Sequence, residues 1–341
     1  GALEIASNVV LSKDGIIAKR RGFYDYYDAS AIPLNALIVY QDQLMTIFTD
    51  RIGYLTQAGS SPNYTGTLST LSGVTVAIAS PRVSRTALSN KNLYATTDNG
   101  VLKLDAYNGT VQTSGAPQAL DLRGSFYGNS GVISSAKIVG WRIIFGRTDA
   151  KDNLILSAPG EIHTLSNSLT SATYTSAGSF TVTVTTALPH KLTTGAVVVV
   201  TDATHVEANG SKTITVTGAT TFTYTTVSDP LTGSLNYAVS RNTRLEASIP
   251  TEINSTAAGW FFRLYRSSQV VDTATSIFSG FKLIDQRTLT SAEITAGMFF
   301  YNDDVDDILL GEELYTNQNS REGEAQANYR APKCDDIALY K

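Results

Sequence analysis

Three histidines are the side chains best suited to acid–base or metal chemistry, because imidazole titrates near neutral pH. They are His163, His190 and His205, and no two of them have the spacing of a zinc-binding helix. His190 lies in Leu188-Pro189-His190-Lys191-Leu192, a pattern typical of a turn between strands. We therefore expect His190 to be a turn residue and not a general base.

An acidic cluster, Asp303-Asp304-Val305-Asp306-Asp307, is the second candidate for chemistry. Carboxylate oxygens at this density are ligands that Ca²⁺ prefers. The cluster lacks the glycine and the distal glutamate of an EF-hand loop. The pattern therefore favours an exposed loop of mutually repelling carboxylates over a calcium site.

Signatures of other catalytic sites are missing from the sequence. Neither the G-x-S-x-G elbow nor the P-loop occurs. Ser12-Lys13-Asp14-Gly15 lacks the spacing and the tryptophan of the sialidase box Ser-x-Asp-x-Gly-x-Thr-Trp. The single cysteine, Cys334, excludes a disulfide scaffold and a multi-cysteine zinc site. The sequence therefore predicts a protein that is not an enzyme and has no catalytic, metal-binding or cofactor-binding residues.

The composition favours strands over helices. The chain has 341 residues, of which 42% are hydrophobic and 16% are charged. Threonine and tyrosine, which favour strands, are common, and 26 glycines are spread along the chain as many tight turns require. Since no long run of strong helix formers shows a 3.6-residue apolar period, the sequence predicts an all-β protein.

The net charge of −4 argues against tight binding to duplex DNA. Phosphate neutralisation supplies most of that affinity, so proteins that hold duplex DNA are normally basic. A mildly acidic surface is compatible with DNA that slides past it. No apolar stretch reaches membrane-spanning length, and residues 1–10 lack the features of a signal peptide. Together with the lack of disulfides, these features favour assembly in a reducing cytoplasm.

An internal repeat organises the first half of the chain. Three segments share one order of elements: strand, turn, strand ending in Thr-Asp, turn, strand. The Thr-Asp pairs begin at Thr49, Thr97 and Thr148, which are 48 and 51 residues apart. A period of about 50 residues with several short strands is typical of propeller blades. The alternative is a set of unrelated hairpins spaced by chance.

The repeat also predicts where its turns lie. The first turn of each segment is predicted at Gln41-Asp42-Gln43, near Asn90-Lys91 and near Gly140. Asn99-Gly100 is a strong signal for a type I′ hairpin. Another hairpin is predicted at 8–18, and the cations Lys19-Arg20-Arg21 that follow it favour a solvated strand end over a subunit or nucleic-acid contact.

Composition divides the chain into four parts. Residues 1–167 are predicted to form propeller blades, and 168–240, rich in Thr, Val, Ser and Gly, an inserted small β-sandwich-like domain. Residues 241–310 are predicted to form a second small domain, similar to fibronectin type III, with strands at Trp260–Ser267, Phe281–Ile284 and Met298–Tyr301. Residues 311–341 are predicted to return to the propeller in a strand at Ile337. The propeller is thus incomplete in this chain, which we expect to be truncated.

Three segments resemble the tail nozzle proteins of short-tailed bacteriophages, also called tail tubular protein B or tail hub proteins. These segments are Asn8 to Phe23, Leu310 to Asn317 and Ala331 to Ala338. The middle module is similar to a small β-domain inserted in many phage structural proteins, on the residues Pro189 to Gly195, Asn209-Gly210 and Thr221 to Tyr224. The resemblance implies no catalytic residue.

The resemblance implies a propeller-containing virion subunit, of which six copies form a ring below the portal and adaptor. DNA would leave through the central channel without sequence-specific binding, and tail fibres or spikes would attach nearby. The alternative is a carbohydrate-binding or glycan-cleaving propeller protein, for which Tyr24, Tyr26 and Tyr27 offer an aromatic platform. A third hypothesis is a bacterial surface adhesin, which the lack of a signal peptide disfavours.

Overall fold

The structure, a computed structural model, describes residues 9–11, 17–19, 34–58, 65–79, 83–176, 178, 180–254, 256–271, 280–314, 328 and 330–338. Regular structure within these residues is almost entirely antiparallel β-strand. This confirms the predicted all-β class.

The first ten strands form a hairpin and two four-stranded sheets. They are β1 (Val9–Leu11), β2 (Ile17–Lys19), β3 (Leu34–Tyr40), β4 (Gln43–Phe48), β5 (Ile52–Ala58), β6 (Thr65–Thr70), β7 (Thr86–Ser89), β8 (Asn92–Thr97), β9 (Gly100–Leu104) and β10 (Gln112–Thr113). The pairing of β1 with β2 confirms the predicted hairpin. Of the cations that follow it, Arg20 and Arg21 lie outside the described residues.

Both four-stranded sheets are meanders, in the order β3-β4-β5-β6 and β10-β9-β8-β7. Each opens with a two-residue hairpin turn whose central residues both have positive φ. The φ angles are 51° and 61° at Gln41 and Asp42, and 47° and 60° at Asn90 and Lys91. Such turns match the right-handed twist of the paired strands. The first turns predicted for these two repeats are therefore confirmed.

The Thr-Asp pairs lie where the second strand of each meander turns into the third. In the second meander Thr97 Oγ1 donates to the Gly100 carbonyl at 2.8 Å. Thr97 also pairs with Gly100 in the ladder, so the turn is centred on Asp98-Asn99. Gly100, with φ of 109°, follows the turn. The prediction of a type I′ turn centred on Asn99-Gly100 is therefore wrong by one residue.

The two meanders pack against each other through one shared core. The first contributes Tyr40, Met45, Ile47 and Ile52, and the second contributes Leu93, Ala95, Leu102 and Leu104. Burying large apolar side chains from both sheets contributes about 1.5–3 kcal/mol for each fully buried residue. The core holds two consecutive sequence repeats together as one unit.

The third repeat folds differently. The strands in and around it are β11 (Leu122–Tyr127), β12 (Lys137–Thr148), β13 (Leu154–Leu156) and β14 (His163–Asn167), of which β12 and β13 lie within the repeat. The turn predicted near Gly140 is wrong, because β12 runs without a break through Gly140, which pairs with Thr164. Along one edge of β12, residues 137–141 pair with β14 and residues 146–148 pair with β13. Strand partners on both sides keep the segment extended.

The stretch 168–240 forms one seven-stranded antiparallel sheet that is nearly closed like a barrel, and not the small sandwich-like domain that was predicted. Its strands are β15 (Thr170–Thr175), β16 (Thr181–Thr186), β17 (Val197–Thr201), β18 (Gly210–Thr213), β19 (Thr215–Gly218), β20 (Thr221–Thr225) and β21 (Gly233–Val239). Its core contains Val182, Val184, Val198 and Phe222. We call this unit the barrel module.

The last strands complete the sheets that β11 and β12 begin. They are β22 (Asn242–Ser248), β23 (Phe261–Arg266), β24 (Val270–Val271), β25 (Lys282–Thr288) and β26 (Met298–Asp303). One sheet has the order β11-β22-β26, and the other has the order β13-β12-β23-β25, with β14 and β24 also paired to β12. The stretch 241–310 therefore shares its sheets with 122–167 and is not the separate fibronectin-like unit that was predicted. We call the combined unit the sandwich.

The sandwich core lies between these two sheets. Trp141 and Phe145 of β12 and Phe262 of β23 meet Leu245 of β22 and Phe299 of β26. The rings of Phe262 and Phe299 stack with centroids 4.2 Å apart. Facing sheets joined by interdigitated side chains are the defining feature of a β-sandwich.

One short helix, α1 (Ser291–Ala296), connects β25 to β26. Thr290 and Glu293 form a capping box at its start, and Gly297 ends it with φ of 70°. Arg287 donates to Glu293 Oε1 at 2.6 Å and, together with Thr290, lowers the pKa of Glu293 to about 2. The capping-box sequence Thr290-Ser291-Ala292-Glu293 is visible in the chain, although the helix was not predicted.

The predicted strand at Ile337 is wrong. Residues 330–338, which the structure describes, contain no strand. Residues 328, 330 and 331, which we call the clasp, instead cross the boundary between the second meander and the sandwich. The Ala116 N–H donates to the Asn328 carbonyl at 2.8 Å, and the Asn328 N–H donates to the Leu156 carbonyl at 2.7 Å. The Ala331 N–H donates to the Ser114 carbonyl at 3.2 Å.

Arg330 adds side-chain contacts on both sides of the clasp. Its Nη1 forms a salt bridge with Glu252, which lies between β22 and β23 of the sandwich. Its Nη2 donates to the Asn99 carbonyl in the turn of the second meander at 2.5 Å. A single guanidinium therefore joins the two units.

We expect Arg330→Ala to loosen the clasp, since both charge-assisted contacts are lost. The amides of Ala116, Asn328 and Ala331 should exchange with deuterium roughly tenfold faster, which corresponds to about 1.4 kcal/mol. Hydrogen exchange read by mass spectrometry measures this. Lys333→Ala, an exposed cation nearby, is the control, and equal exchange in the two variants would contradict the proposed role of Arg330.

Candidate functional site

The His190 ring stabilises the turn that the sequence predicts at Leu188–Leu192. The Leu192 N–H donates to His190 Nδ1 at 3.0 Å. His190 Nε2 lies 3.1 Å from the Gly218 carbonyl, so Nε2 carries the proton and donates it. Both ring nitrogens are thus used within the barrel module, which agrees with the predicted role as a turn residue.

The other histidines lie in separate elements. His163 begins β14, and burial lowers its pKa, against the opposing effect of Asp121. His205 precedes a 3₁₀ helix, Val206–Ala208, and its N–H donates to Tyr174 Oη at 3.1 Å. Within the described residues, no group of three or more His, Cys, Asp and Glu side chains is arranged to hold a metal ion.

The acidic cluster is only partly exposed, because Arg266 lies at its centre. Arg266 Nη1 donates to Asp303 Oδ1 and Nη2 donates to Asp307 Oδ1, each at 2.8 Å. Trp141 Nε1 donates to the second oxygen of Asp303 at 2.8 Å. Two of the four carboxylates therefore face a cation. The prediction of an exposed loop of mutually repelling carboxylates is wrong for Asp303, which is buried. Asp307 is exposed as predicted, but it is paired with Arg266.

The Arg266–Asp303 pair is fully buried, with both side chains 0% exposed. Burial raises the pKa of Asp303, while Arg266 and Trp141 oppose that rise. Arg266 belongs to β23 and Asp303 to β26, which lie in opposite sheets of the sandwich. Because removing either partner leaves a buried charge, the pair ties one sheet to the other.

A polar pocket of about 650 Å³ lies between the second meander and the turn that joins β12 to β13. We call it the junction pocket. Its lining includes Asn90, Asn92, Tyr94 and Lys103 from the meander, and Asp149, Lys151 and Asn153 from the turn. Pockets of this size hold small molecules in other proteins. The junction pocket is our candidate functional site.

Asp149, the carboxylate of the third Thr-Asp pair, organises the turn side of the pocket. Lys103 Nζ donates to Asp149 Oδ2 at 2.9 Å. The N–H groups of Lys151 and Asn153 each donate to Oδ1 at 2.9 Å. Burial raises the pKa of Asp149, but these hydrogen bonds outweigh burial and hold it well below its usual range. Asp149 is therefore ionised and fixed.

Arg147 and Asp105 extend this charge cluster behind the pocket. Arg147 is 2% exposed, and its Nη1 lies 3.9 Å from Asp105 Oδ2. Among the residues that the structure describes, no acceptor lies within hydrogen-bond distance of its buried Nε and Nη2 atoms. The guanidinium lies 5.7 Å from the centre of the Trp260 ring, at a distance where a cation is attracted to the ring face.

Among the described residues, the cations of the cluster outnumber its anions. The cations are Lys103, Arg147 and Lys151, with Lys91 close enough to repel Lys151, and the anions are Asp105 and Asp149. Lys151 Nζ donates to the Lys91 carbonyl at 2.7 Å and also to the side chain of Asn92. Partly desolvated cations in excess make such a site attractive to an anion.

The sequence reasoning assigned no site residues and so missed this cluster. The sequence feature that could have revealed the cluster is a charged residue within an otherwise apolar strand. Lys103 stands in Val101-Leu102-Lys103-Leu104, and Arg147 follows Ile143-Ile144-Phe145-Gly146. A charged residue at such a position is seldom buried unless it has a partner. The proposed aromatic platform at Tyr24, Tyr26 and Tyr27 lies outside the described residues.

The comparisons with known proteins add no identification. No family model, no curated protein and no solved structure matches the chain. In the part of the chain that the structure describes, no helix has both the length and the apolar character needed to cross a membrane.

We expect Asp303→Asn to destabilise the sandwich by about 3 kcal/mol, because Arg266 would stay buried without its main counter-charge. The two tryptophans of the chain, Trp141 and Trp260, both lie in the sandwich core, so urea unfolding followed by tryptophan fluorescence reports this unit. Asp304→Asn, at an exposed carboxylate in the same segment, is the control and should change stability by less than about 0.5 kcal/mol. Equal losses in both variants would show that the buried pair does not stabilise the sandwich.

We expect Asp149→Asn to make stability less dependent on acid. Folding lowers the pKa of Asp149 below the ordinary value of 3.8, so its contribution is present above that pH and is lost as the pH falls further. At neutral pH the variant should lose about 3 kcal/mol, and the gap to the unmodified chain should shrink below pH 3.8. Thermal unfolding across a pH series measures the gap.

Asp152→Asn is the matched control for Asp149→Asn. Asp152 lies in the same turn, is exposed, and has φ of 60°, which asparagine tolerates. Its substitution should leave the pH dependence of unfolding unchanged. A constant gap for Asp149→Asn across the pH series would contradict the assigned role of its carboxylate.

Proposed function

We propose that this chain is a structural subunit of a bacteriophage tail, a nozzle or hub protein whose meanders are blades of a β-propeller. The observation that carries the proposal is the pair of consecutive four-stranded antiparallel meanders, built from a sequence repeat of about 50 residues and packed on one core. The resemblance of three sequence segments to tail nozzle proteins supports the same role.

The mechanism of such a subunit is geometric. Stiff sheets position loops that contact neighbouring subunits, and the ring of subunits surrounds the channel through which DNA leaves. Propellers suit this task because radial closure leaves few exposed strand edges. The net charge of −4 supports a channel wall that DNA passes without being held.

The barrel module suits a part that projects from the scaffold. Its first strand, β15, and its last strand, β21, pair with each other, with Thr170 opposite Tyr237. The chain therefore leaves the sandwich and returns to it at nearly one place. Asn167 donates to the Val239 carbonyl at 2.7 Å and so joins the two crossings. A unit attached in this way can contact other proteins without interrupting the sandwich sheets.

The implied partners follow from this role. We propose self-association into a ring of six copies, contact with the portal–adaptor protein on one side, and contact with tail fibres or spikes on the other. The subunit would be assembled in the cytoplasm of the bacterial host and would reside in the virion tail.

The test is the copy number and position of the native protein in purified virions. We expect six copies per particle, counted by quantitative mass spectrometry against the major capsid protein, and labelling by antibody at the tail in electron micrographs. A host membrane fraction carried through the same purification is the control. Absence of the protein from virions would overturn the proposal.

A further inference from the structure

We propose that the junction pocket binds a small acidic sugar, recognising its carboxylate by cations and its hydroxyl groups by amides. This binding activity goes beyond the scaffold role and does not depend on it.

The lining of the pocket fits a hydroxyl-rich ligand. Asn90, Asn92 and Asn153 line it. Asn92 Oδ1 accepts from Lys151, and Asn153 Nδ2 donates to Asp149. Among the described contacts, the Asn90 amide, Asn92 Nδ2 and Asn153 Oδ1 therefore remain to bind hydroxyl groups. Tyr94 adds an aromatic ring and a hydroxyl group. Small-molecule pockets are usually mostly apolar, so a lining dominated by amides, hydroxyls and charges selects a strongly hydrated ligand.

The charge of the pocket fits a carboxylate. Lys103 and Lys151 both line it, and an ammonium group has three donors. Lys103 uses one donor on Asp149, and Lys151 uses two on the Lys91 carbonyl and the Asn92 side chain. Within the described part of the chain, each lysine thus has a donor left for a ligand.

Arg147 strengthens the attraction from behind the pocket. Its guanidinium is buried, and its closest carboxylate, that of Asp105, is 3.9 Å away and also accepts the Ala150 N–H. Incomplete neutralisation of a buried cation leaves a positive potential that a carboxylate in the pocket would lower.

The experiment titrates the full chain with glucuronate, glucose and acetate by isothermal calorimetry at low salt. Glucuronate carries both features of the proposed ligand, glucose only the hydroxyls and acetate only the carboxylate. We expect saturable binding of glucuronate at least tenfold tighter than that of either other probe. Failure of glucuronate to bind would overturn the proposal, as would equal binding of glucose or of acetate.

Variants then locate the binding. Lys151→Gln removes a pocket cation that is not fully buried, and we expect it to weaken glucuronate binding at least tenfold. Lys282→Gln, at an exposed lysine on β25, should bind as the unmodified chain does. Unchanged affinity in Lys151→Gln would place the sugar elsewhere and overturn the assignment. The virion assay tests the proposed tail subunit, and the titration tests sugar binding. A negative result in one experiment therefore does not affect the proposal that the other tests.

Discussion

The hydrogen-bonding requirement of β12 is the constraint on which most of the structure depends. A strand in the middle of a sheet carries donors and acceptors on both edges, and leaving them unpaired in a core is costly. β13 and β14 satisfy one edge of Lys137–Thr148, and β23 and β24 satisfy the other. The chain must therefore return from the barrel module to finish the sheet. The end of the same strand places Arg147 and Asp149 at the junction with the second meander.

Buried charges lie where units meet. The Lys103–Asp149 pair joins the second meander to the turn after β12, and the Arg266–Asp303 pair joins the two sheets of the sandwich. Apolar contacts tolerate small shifts, whereas a buried ion pair is strongly penalised when it is misaligned. We infer that these pairs fix the alignment of the units while the apolar cores supply most of the stability. In the scaffold role that we propose, alignment is the property on which neighbouring subunits depend.

The candidate site shows how far sequence reasoning reaches. Asp149 was singled out as part of a repeated Thr-Asp pair, but its partner Lys103 is 46 residues away in the chain. The acidic cluster was recognised, but whether its carboxylates are paired depended on Arg266. The packing of β23 brings Arg266 to Asp303. In both cases the residue type was visible and the counter-charge was not. Pairing of side chains across sheets follows from the tertiary structure and has no signature in local spacing.

The all-β class, most strands, the first turns at Gln41-Asp42-Gln43 and near Asn90-Lys91, and the bounds of the stretch that folds as the barrel module could be predicted from the sequence. These features depend on alternation, turn residues and composition, which act over a few residues. Three features became visible in the folded protein alone: 241–310 pairs with β11 and β12, β12 continues through Gly140, and the described residues 330–338 form no strand. A strand can pair with many others that are distant in the chain. The pairing that forms depends on which side chains become buried in the folded protein, and local sequence does not encode this.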